Sequence, residues 1–485
     1  MDPVGLFAVG AAVLAVSALL AGVIDRLPLS FPMIFLTLGL VLGEGATGAV
    51  EIHLEDDALR TVAFATLALV LFLDAVSLDL RHVRREWLVP ALTLGPGAAI
   101  VVAIVAVTAM LVAGLDPVPA FLLGAALAST DPVVLRDVVG DERIPNSVRR
   151  ALTVEAGTND VFVLPPVLVL AAVAAGNVGG AADWAWFGIQ LVLVGPLLGA
   201  AVGLAGAALM HEVDARRPVR REWQALYGIA LVLGAFSAGE TFGADGFLAS
   251  FAAGAAVSLS NKTLCDCFLD FGEVIAELLM LVSFVLFGIV LSSELGAVPA
   301  GEGLLLAAVA LLIARPLALG WMLSVRHVDM SRDGRAFIAW FGPRGLNSLL
   351  LILIAVEAGV PNGSELFGLA GFVVLVSVFL HGTTATPFSA WYGRRIEETV
   401  HPEERESTVG GLLRPDPDRA PRVGVAELAE LLEGPEPPVV VDVRSRSAVR
   451  RDPDGIAGAV RVPADRISDW ARDQERDRLI VLYCT

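Results

Sequence analysis

The sequence predicts an all-α polytopic membrane protein of about 13 transmembrane helices, followed by a small, incomplete α/β tail. Hydrophobic residues make up 56% of the 485 residues, and the mean hydropathy is +0.72. Apolar runs near the roughly 20 residues that cross a bilayer succeed one another along most of the chain. Near residue 396 the composition becomes charged and proline-rich, which predicts a separate unit.

Thirteen apolar runs are separated by polar connections. They lie at residues 5–25, 29–44, 61–79, 88–114, 119–139, 149–175, 184–210, 224–239, 244–260, 273–292, 302–325, 336–357 and 366–390. The first run is longer than the apolar part of a secretion signal and has no basic segment before it. We therefore interpret it as the first transmembrane helix.

The basic residues predict the orientation in the membrane. Between the apolar runs, the odd-numbered connections contain Arg26, Arg81, Arg84, Arg85, Arg136, Arg143, Arg149, Arg150, Arg216, Arg217, Arg220, Arg221, Lys262, Arg326, Arg332 and Arg335, and the even-numbered connections contain almost none, with Arg60 as the exception. Connections rich in arginine and lysine stay in the cytoplasm. The sequence therefore predicts a prokaryotic cell-membrane protein with its N-terminus outside and its C-terminus in the cytoplasm.

The carboxyl end divides into a linker and a soluble unit. We predict a transmembrane domain at 1–395, a linker at 396–420 and a cytoplasmic domain at 421–485. In the last of these, residues 425–432 have helical spacing, and 439–443 and 479–483 are typical of buried strands. Strands that alternate with helices indicate a parallel α/β fold.

Acidic residues inside the sixth run point to function. Glu155, Asn159 and Asp160 lie in a stretch that is otherwise apolar enough to span the membrane. A carboxylate there costs roughly 2.5–3.5 kcal/mol even on insertion scales, so it is kept for an ion, a proton or a buried partner. Burial disfavours the charged form of Asp160. We expect it to hold either a proton or a small alkali cation, while Asn159 adds hydrogen bonds without a second titrating group.

The fifth run contains a proline beside a carboxylate. Pro132 lacks an amide donor and predicts a helix break at Ser129, Thr130 and Asp131. Freed backbone groups at this depth line a cavity or find partners, and unwound carbonyls bind cations. Asp131 is expected to neutralise the amides of the following half-helix. A purely structural kink capped by Asp131 remains the alternative.

A buried Glu155 requires a cationic partner. Arg315 stands in the middle of an apolar run and is the preferred partner, with Arg344 as the alternative. Asp74 lies nearer the cytoplasmic end of its run, where we expect it to cap a helix or border the ion entrance. A structural Asp160–arginine pair is the competing interpretation of the site aspartate.

Several motifs together resemble the monovalent cation:proton antiporter family, in the sodium/proton exchanger branch with an Asn-Asp pair. They are 129–132 (STDP), 155–160 (EAGTND), 246–254 (GFLASFAAG), 315–316 (RP), 342–345 (GPRG) and 377–387 (SVFLHGTTATP). The resemblance covers about residues 5–392. It implies thirteen helices built on inverted repeats, two unwound helices that cross near the ion site, and a dimerisation domain, hence a homodimer.

The resemblance also implies roles for individual residues. Asp160 matches the carboxylate that binds cation and proton, and Thr130 matches a ligand through its backbone and hydroxyl; these are the two expected metal ligands. Asp131 matches the partner at the crossing, and Glu155 with Arg315 matches a stabilising ion pair. Ala156 stands where the family often has serine, so water or Thr158 is expected to supply the missing ligand.

The tail resembles a rhodanese-like domain. The matching segments are 440–444 (VVDVR), 455–460 (GIAGAV), 462–463 (VP) and 480–484 (IVLYC). The family's catalytic cysteine stands at or just after the last strand, which makes Cys484 the tail thiol. The loop that cradles it is absent from this sequence, so we expect no sulfurtransferase activity. A selenocysteine codon read as a stop after Thr485, a designed end or a sequence error would each give this terminus.

Three functions are compatible with these features. The first is a secondary transporter that exchanges Na⁺, or alternatively Li⁺ or K⁺, for H⁺ in a one-to-one electroneutral cycle. The second is a membrane-anchored sulfur-transfer or redox-sensing protein, and the third is a cation channel. An anchor needs no buried charges, and no filter motif of a channel is evident, so the sequence favours the transporter. We expect no enzyme activity, no cofactor and no nucleic-acid partner; the partners are cations, protons and lipid.

Overall fold

A computed structural model describes residues 3–24, 30–77, 88–141, 143–260, 262–325, 330–398, 423–434, 437–444, 449, 453–463, 466–475 and 478–483. The helices of the apolar part are α1 (Pro3–Ile24), α2 (Phe31–Leu42), α3 (Asp57–Ser77), α4 (Leu88–Val112), α5 (Pro117–Ala126), α6 (Pro132–Val139), α7 (Asn146–Ala175), α8 (Ala181–Arg216), α9 (Arg221–Thr241), α10 (Gly246–Ser260), α11 (Lys262–Glu294), α12 (Ala300–Met322), α13 (Arg332–Trp340), α14 (Leu346–Glu357) and α15 (Gly363–Glu398).

Seven of the described helices are long and apolar enough to cross a membrane: α3, α4, α7, α8, α11, α12 and α15. Four shorter apolar helices, α2, α5, α10 and α14, accompany them. The protein is therefore a multi-pass helical membrane protein. The predicted run at 336–357 is divided into α13 and α14, because residues 341–345 leave the helical conformation.

Three of the long helices contain a π-helical turn. These turns are Thr93–Gly97 in α4, Gln190–Val194 in α8 and Val309–Ala314 in α12. Each lies at or just before a proline: Pro96, Pro196 and Pro316. Since proline cannot donate the helical hydrogen bond, the ladder is re-formed around it with one extra residue in the turn.

The described residues form two compact units. The first consists of Met1–Arg136, Thr153–Met322 and Ala339–Thr384, and the second of Asp137–Leu152, Leu323–Ile338 and Ala385–Thr485. In the first unit, α8 packs on α10, α10 on α3, and α11 on α2. Glycines permit the α2–α11 contact, since a Cβ at Gly39 would overlap the backbone of Val285. Small residues allow the same close approach in other membrane helices.

Within the second unit, the tail contains the helix and the two strands that the sequence predicts, as α16 (Val425–Glu433), β1 (Val439–Asp442) and β3 (Ile480–Tyr483). It also contains β2 (Val460–Arg461) and α17 (Ile467–Trp470), which the sequence analysis did not predict. The sheet has the order β2-β1-β3, and both pairings are parallel. Its core is formed by Val441, Val443, Val462 and Ile467. Cys484 and the linker beyond Glu398 lie outside the described residues.

Candidate ion-binding site

Two interrupted helices meet at their breaks, and both breaks lie in the first unit. The first break joins α5 to α6 at residues 127–131, and the second joins α13 to α14 at 341–345. At the crossing the backbone N–H of Asp131 donates to the carbonyl of Pro343 at 2.9 Å. Gly345 permits this approach, because a Cβ there would overlap the Asp131 carboxylate. Two stretches of non-helical backbone are thereby joined inside the apolar part of the chain.

The Asp131 carboxylate serves the N-terminal ends of both half-helices. Its Oδ1 accepts a hydrogen bond from the Val133 N–H of α6 at 2.8 Å. Its Oδ2 accepts one from the Leu346 N–H of α14 at 2.6 Å. Helix N-termini carry partial positive charge, so one buried carboxylate balances two of them. Asp131 is 1% exposed.

Arginines serve the C-terminal ends of the other two half-helices. Arg344 Nη1 donates to the carbonyls of Ala128 and Ser129, at the end of α5, at 2.7 and 2.8 Å. Arg315 Nη2 donates to the carbonyl of Phe341, just after α13, at 2.8 Å. Cations are favourable at helix C-termini. All four ends at the two breaks are therefore matched by a side chain of opposite charge.

Glu155 and Arg315 form a buried ion pair. Arg315 Nη1 lies 2.5 Å from Glu155 Oε1, and the two side chains are 6% and 5% exposed. Gly342 makes room for the pair, since a Cβ there would overlap the guanidinium of Arg315. Arg344, the alternative partner in the sequence, is directed to the α5 carbonyls instead. Arg315 thus links α7 and α12 to the break beside α13.

Asp160 lies on α7 and is 2% exposed. Its Oδ1 accepts a hydrogen bond from the Ser129 hydroxyl of the first break. Its Oδ2 accepts one from the side-chain amide of Asn347, in the first turn of α14. Both donors are neutral. In the described part of the chain Asp160 has no ion pair, unlike Glu155, so its charge is solvated only by dipoles.

The neighbouring residues of α7 fix the first break. Asn159 Nδ2 donates to Thr130 Oγ1 at 2.9 Å and to the carbonyl of Ala128 at 3.1 Å. Thr130 is fully buried. The hydroxyl of Thr158 donates to the carbonyl of Val154 in its own helix at 2.5 Å. The hydroxyl that contacts the site carboxylate therefore comes from Ser129 rather than from Thr158.

Asp74 of α3 is closer to the site than its sequence position indicates. Its Oδ1 would lie 3.6 Å from a Cβ at Gly157, one turn before Asp160 on α7. Its Oδ2 is buried and has no hydrogen-bond partner among the described residues. The first unit therefore brings three carboxylates of different elements to one region, and only Asp131 is held by backbone amides.

His381 of α15 connects two parts of the second break. Its Nε2 lies 3.2 Å from the carbonyl of Trp340. Its Nδ1 lies 3.1 Å from the carbonyl of Ser377 and 3.2 Å from Ser377 Oγ. The same Oγ accepts from the Arg344 N–H at 2.6 Å. His381 and Ser377 of α15 thereby contact the last residue of α13 and the backbone just before α14.

The sequence analysis did not single out Asn347, Ser377 or His381 as site residues. Each is 2% exposed or less, and each is a polar residue in a largely apolar run. Buried polar groups need partners. A polar residue in such a run is therefore a signal of use, although it does not indicate which helix supplies the partner.

Two crossed, interrupted helices with a buried carboxylate at the crossing define a class of protein, the polytopic membrane proteins with a buried polar site between broken helices. Residues 13–391 match the transmembrane sodium/hydrogen exchanger family. The chain belongs to this family. The match covers most of the chain and leaves out residues 1–12 and 392–485.

Two bacterial antiporters are among the similar proteins. The chain is 30% identical over 388 residues to the K(+)/H(+) antiporter NhaP2 of Shewanella sp. (strain MR-4), covering 78% of this chain and 66% of that protein. It is 27% identical over 379 residues to the K(+)/H(+) antiporter NhaP of Alkalimonas amylolytica, with 77% and 64% covered. The match thus spans slightly less than two thirds of these relatives' length.

The fold is also similar to a solved structure. The sodium proton antiporter MjNhaP1 from Methanocaldococcus jannaschii superposes with a TM-score of 0.66 at 18% sequence identity. The superposition covers 81% of this chain and 100% of that chain. At 18% identity the superposition shows similarity of the fold alone, and this similarity extends over the whole MjNhaP1 chain.

Proposed function

We propose that this protein is a secondary active transporter that exchanges a monovalent cation, Na⁺, K⁺ or Li⁺, for H⁺ across the membrane. One observation carries the proposal: Asp160 is a buried carboxylate whose two oxygens receive only neutral donors, Ser129 and Asn347. A buried charge without an ion pair is costly. Binding either a proton or an alkali cation removes that cost, so the two compete for one group.

The surrounding oxygens suit an alkali cation. Ser129 has its hydroxyl on Asp160, Thr130 has its hydroxyl on the adjacent Asn159, and the first break supplies backbone carbonyls. Such hard oxygen ligands at a broken helix coordinate Na⁺ in other transporters. We assign the cation to Asp160 and Thr130, with Ser129 as a third ligand. Thr158 contributes only if its hydroxyl leaves the carbonyl of Val154.

The other charges of the site have fixed roles in this proposal. Glu155 stays ionised against Arg315, and Asp131 stays ionised against the amides of two half-helices. Arg344 balances the carbonyl end of α5. These groups hold the crossing together and do not exchange protons during the cycle. Asn159 positions Thr130. One H⁺ then moves against one cation.

The architecture we propose for this function has thirteen membrane crossings, counting α5 with α6, and α13 with α14, as one crossing each. The N-terminus is outside and the C-terminus is in the cytoplasm, as the distribution of arginines favours. The transmembrane domain is 1–395, the linker 396–420 and the tail domain 421–485, and the protein is a homodimer. The parallel sheet of the tail supports its assignment as a partial rhodanese-like domain.

The competing function, a membrane-anchored sulfur-transfer or redox protein, gains no support from the described residues. An anchor has no use for the buried charges at the crossing, each of which is costly in a membrane. A non-enzymatic transporter uses all of them.

A transport assay tests the proposal. The purified full chain in liposomes is loaded with a fluorescent pH indicator and driven by imposed gradients of Na⁺, K⁺ and Li⁺ in turn. We expect proton movement opposite to at least one of these cations, at a rate that saturates with its concentration. The proposal would be contradicted if none of the three cations induced proton movement. It would also be contradicted if no cation gradient could drive protons against their own concentration gradient.

A further inference from the structure

The two hydrogen bonds to Asp160 are chemically unequal. Ser129 donates through a hydroxyl, whose oxygen also has lone pairs for a cation once the hydroxyl turns. Asn347 donates through an amide nitrogen, which has no lone pair to offer. A cation that arrives at Asp160 can therefore retain Ser129 as a neighbour. The amide N–H of Asn347 presents its positive end to that cation.

We propose that Asn347 is a positioning residue that sets the apparent affinity of the transported cation by competing with it for Asp160. The inference rests on the proposed function. The amide occupies Oδ2 of the carboxylate, and a cation on that oxygen displaces it. Hydrogen bonds to carboxylates are about twice as strong as those between neutral groups, so every binding event includes the loss of a strong contact.

The backbone around Asn347 holds this amide in place. Leu346 N–H is bound to the Asp131 carboxylate at 2.6 Å, and Arg344 N–H is bound to Ser377 Oγ at 2.6 Å. The first turn of α14 is thus fixed on both sides of the crossing. Because the backbone of this turn is held in place, the side chain of Asn347 has a constant position relative to Asp160. When Asn347 is substituted, we expect no other residue of α14 to take its place at Asp160.

Ser348 provides the matched comparison. It follows Asn347 in the same turn and is 1% exposed. Its hydroxyl is buried and has no hydrogen-bond partner among the described residues. A Ser348→Ala variant therefore removes a polar atom from the same turn without touching Asp160, whereas Asn347→Ala and Asn347→Leu remove the competing donor.

The experiment compares these variants with the unsubstituted full chain in liposomes, using the cation that this chain transports. For Asn347→Ala and Asn347→Leu we expect KM for the cation to fall by about fivefold or more, with no increase in the maximal rate. For Ser348→Ala we expect both quantities to be unchanged. A second readout is the thermal stabilisation of detergent-solubilised protein by the same cation. Its half-effective concentration should fall by the same factor as KM.

The outcomes separate this inference from the proposed function. A KM that is unchanged or higher in both Asn347 variants, with exchange intact in the unsubstituted chain and in Ser348→Ala, overturns the competition alone. A higher KM would indicate that the amide oxygen is a cation ligand. Absence of exchange and of cation-dependent stabilisation in the unsubstituted chain would overturn the proposed function as well. If neither variant folds, Asn347→Ser, which moves the donor away from Asp160, is measured against the same criteria.

Discussion

The Asp131 carboxylate occupies the space in which a side chain at position 345 would stand. A Cβ placed on Gly345 overlaps it, and the amide of the next residue, Leu346, donates to its Oδ2 at 2.6 Å. The two interrupted helices can therefore approach only because one of them has a glycine at the contact. The contact between Gly345 and Asp131 thus allows the two breaks to approach, and it places the Asp131 carboxylate at the N-terminal end of α14.

Substitution of Gly345 by alanine should damage the crossing. The added methyl must push the two breaks apart, and overpacking of this kind typically costs about 1–3 kcal/mol. We expect a lower unfolding temperature and a reduced exchange rate. Gly234 of α9 is the control, because nothing lies within 4 Å of a Cβ there. Its replacement by alanine should leave both measurements unchanged or slightly raise stability. Equal effects at both positions would contradict the role of the Gly345 contact.

Asp160→Asn should abolish cation–proton exchange. The amide keeps the size of the side chain but can neither release a proton nor balance a cation, so neither substrate is carried. The measurement is the cation-driven pH change in liposomes. The control is Asp245→Asn, because Asp245 caps α10 through the Leu248 N–H at 2.7 Å, which asparagine also does. Persistent exchange in the Asp160 variant would remove this residue from the mechanism.

Glu155 and Arg315 should behave as a coupled pair. Removing one partner strands a buried charge, which typically costs about 3–5 kcal/mol, so Glu155→Ala and Arg315→Ala should each lower the unfolding temperature markedly. The double substitution should recover part of the loss. The exposed pair Arg136–Glu277, at 2.6 Å with 64% and 32% exposure, is the control. There each change should cost about 1 kcal/mol or less. Strictly additive losses in the buried pair would show that the residues are not coupled.

Transport should be electroneutral. Only Asp160 exchanges its ligand in the proposed cycle, so one proton charge replaces one cation charge. Once K⁺ is shown not to be transported, the membrane potential can be clamped with K⁺ and an ionophore while Na⁺ drives the exchange. The rate should be independent of the clamped potential. A rate that changes steeply with voltage would show that a second charge moves, and Asp74, whose Oδ2 has no partner among the described residues, would be the first group to examine.

Local chemistry allowed much of the site to be predicted. Pro132 predicted the first break, because its missing amide and its ring act within one helical turn. Glu155 predicted a cationic partner, since a buried charge needs one. The strands and helix of the tail followed from their periodicity, and the structure confirms them.

Other features depend on contacts between distant residues. The sequence analysis expected a second unwound helix only from the family resemblance and did not place it in the apolar run at 336–357, although Pro343 is a local signal for a break. At the crossing, Pro343 and Arg344 bond to backbone groups more than 200 positions away. Asn347 was missed because its partner is distant in the sequence. Its neighbours are leucines and a serine, and its partner is on α7. The sequence indicates that such a residue is polar and lies in an apolar helix. Its hydrogen-bond partner depends on how the helices cross.

The π turn in α12 has a consequence for how Arg315 is aimed. Val309–Ala314 ends at the residue before this arginine, and a π turn holds one residue more than an α-helical turn. One residue corresponds to a rotation of about 100° around the helix axis. The direction of the Arg315 guanidinium thus depends on the number of residues in the preceding segment as well as on their identity. A family member that lacked this extra residue would present the same arginine to a different neighbour.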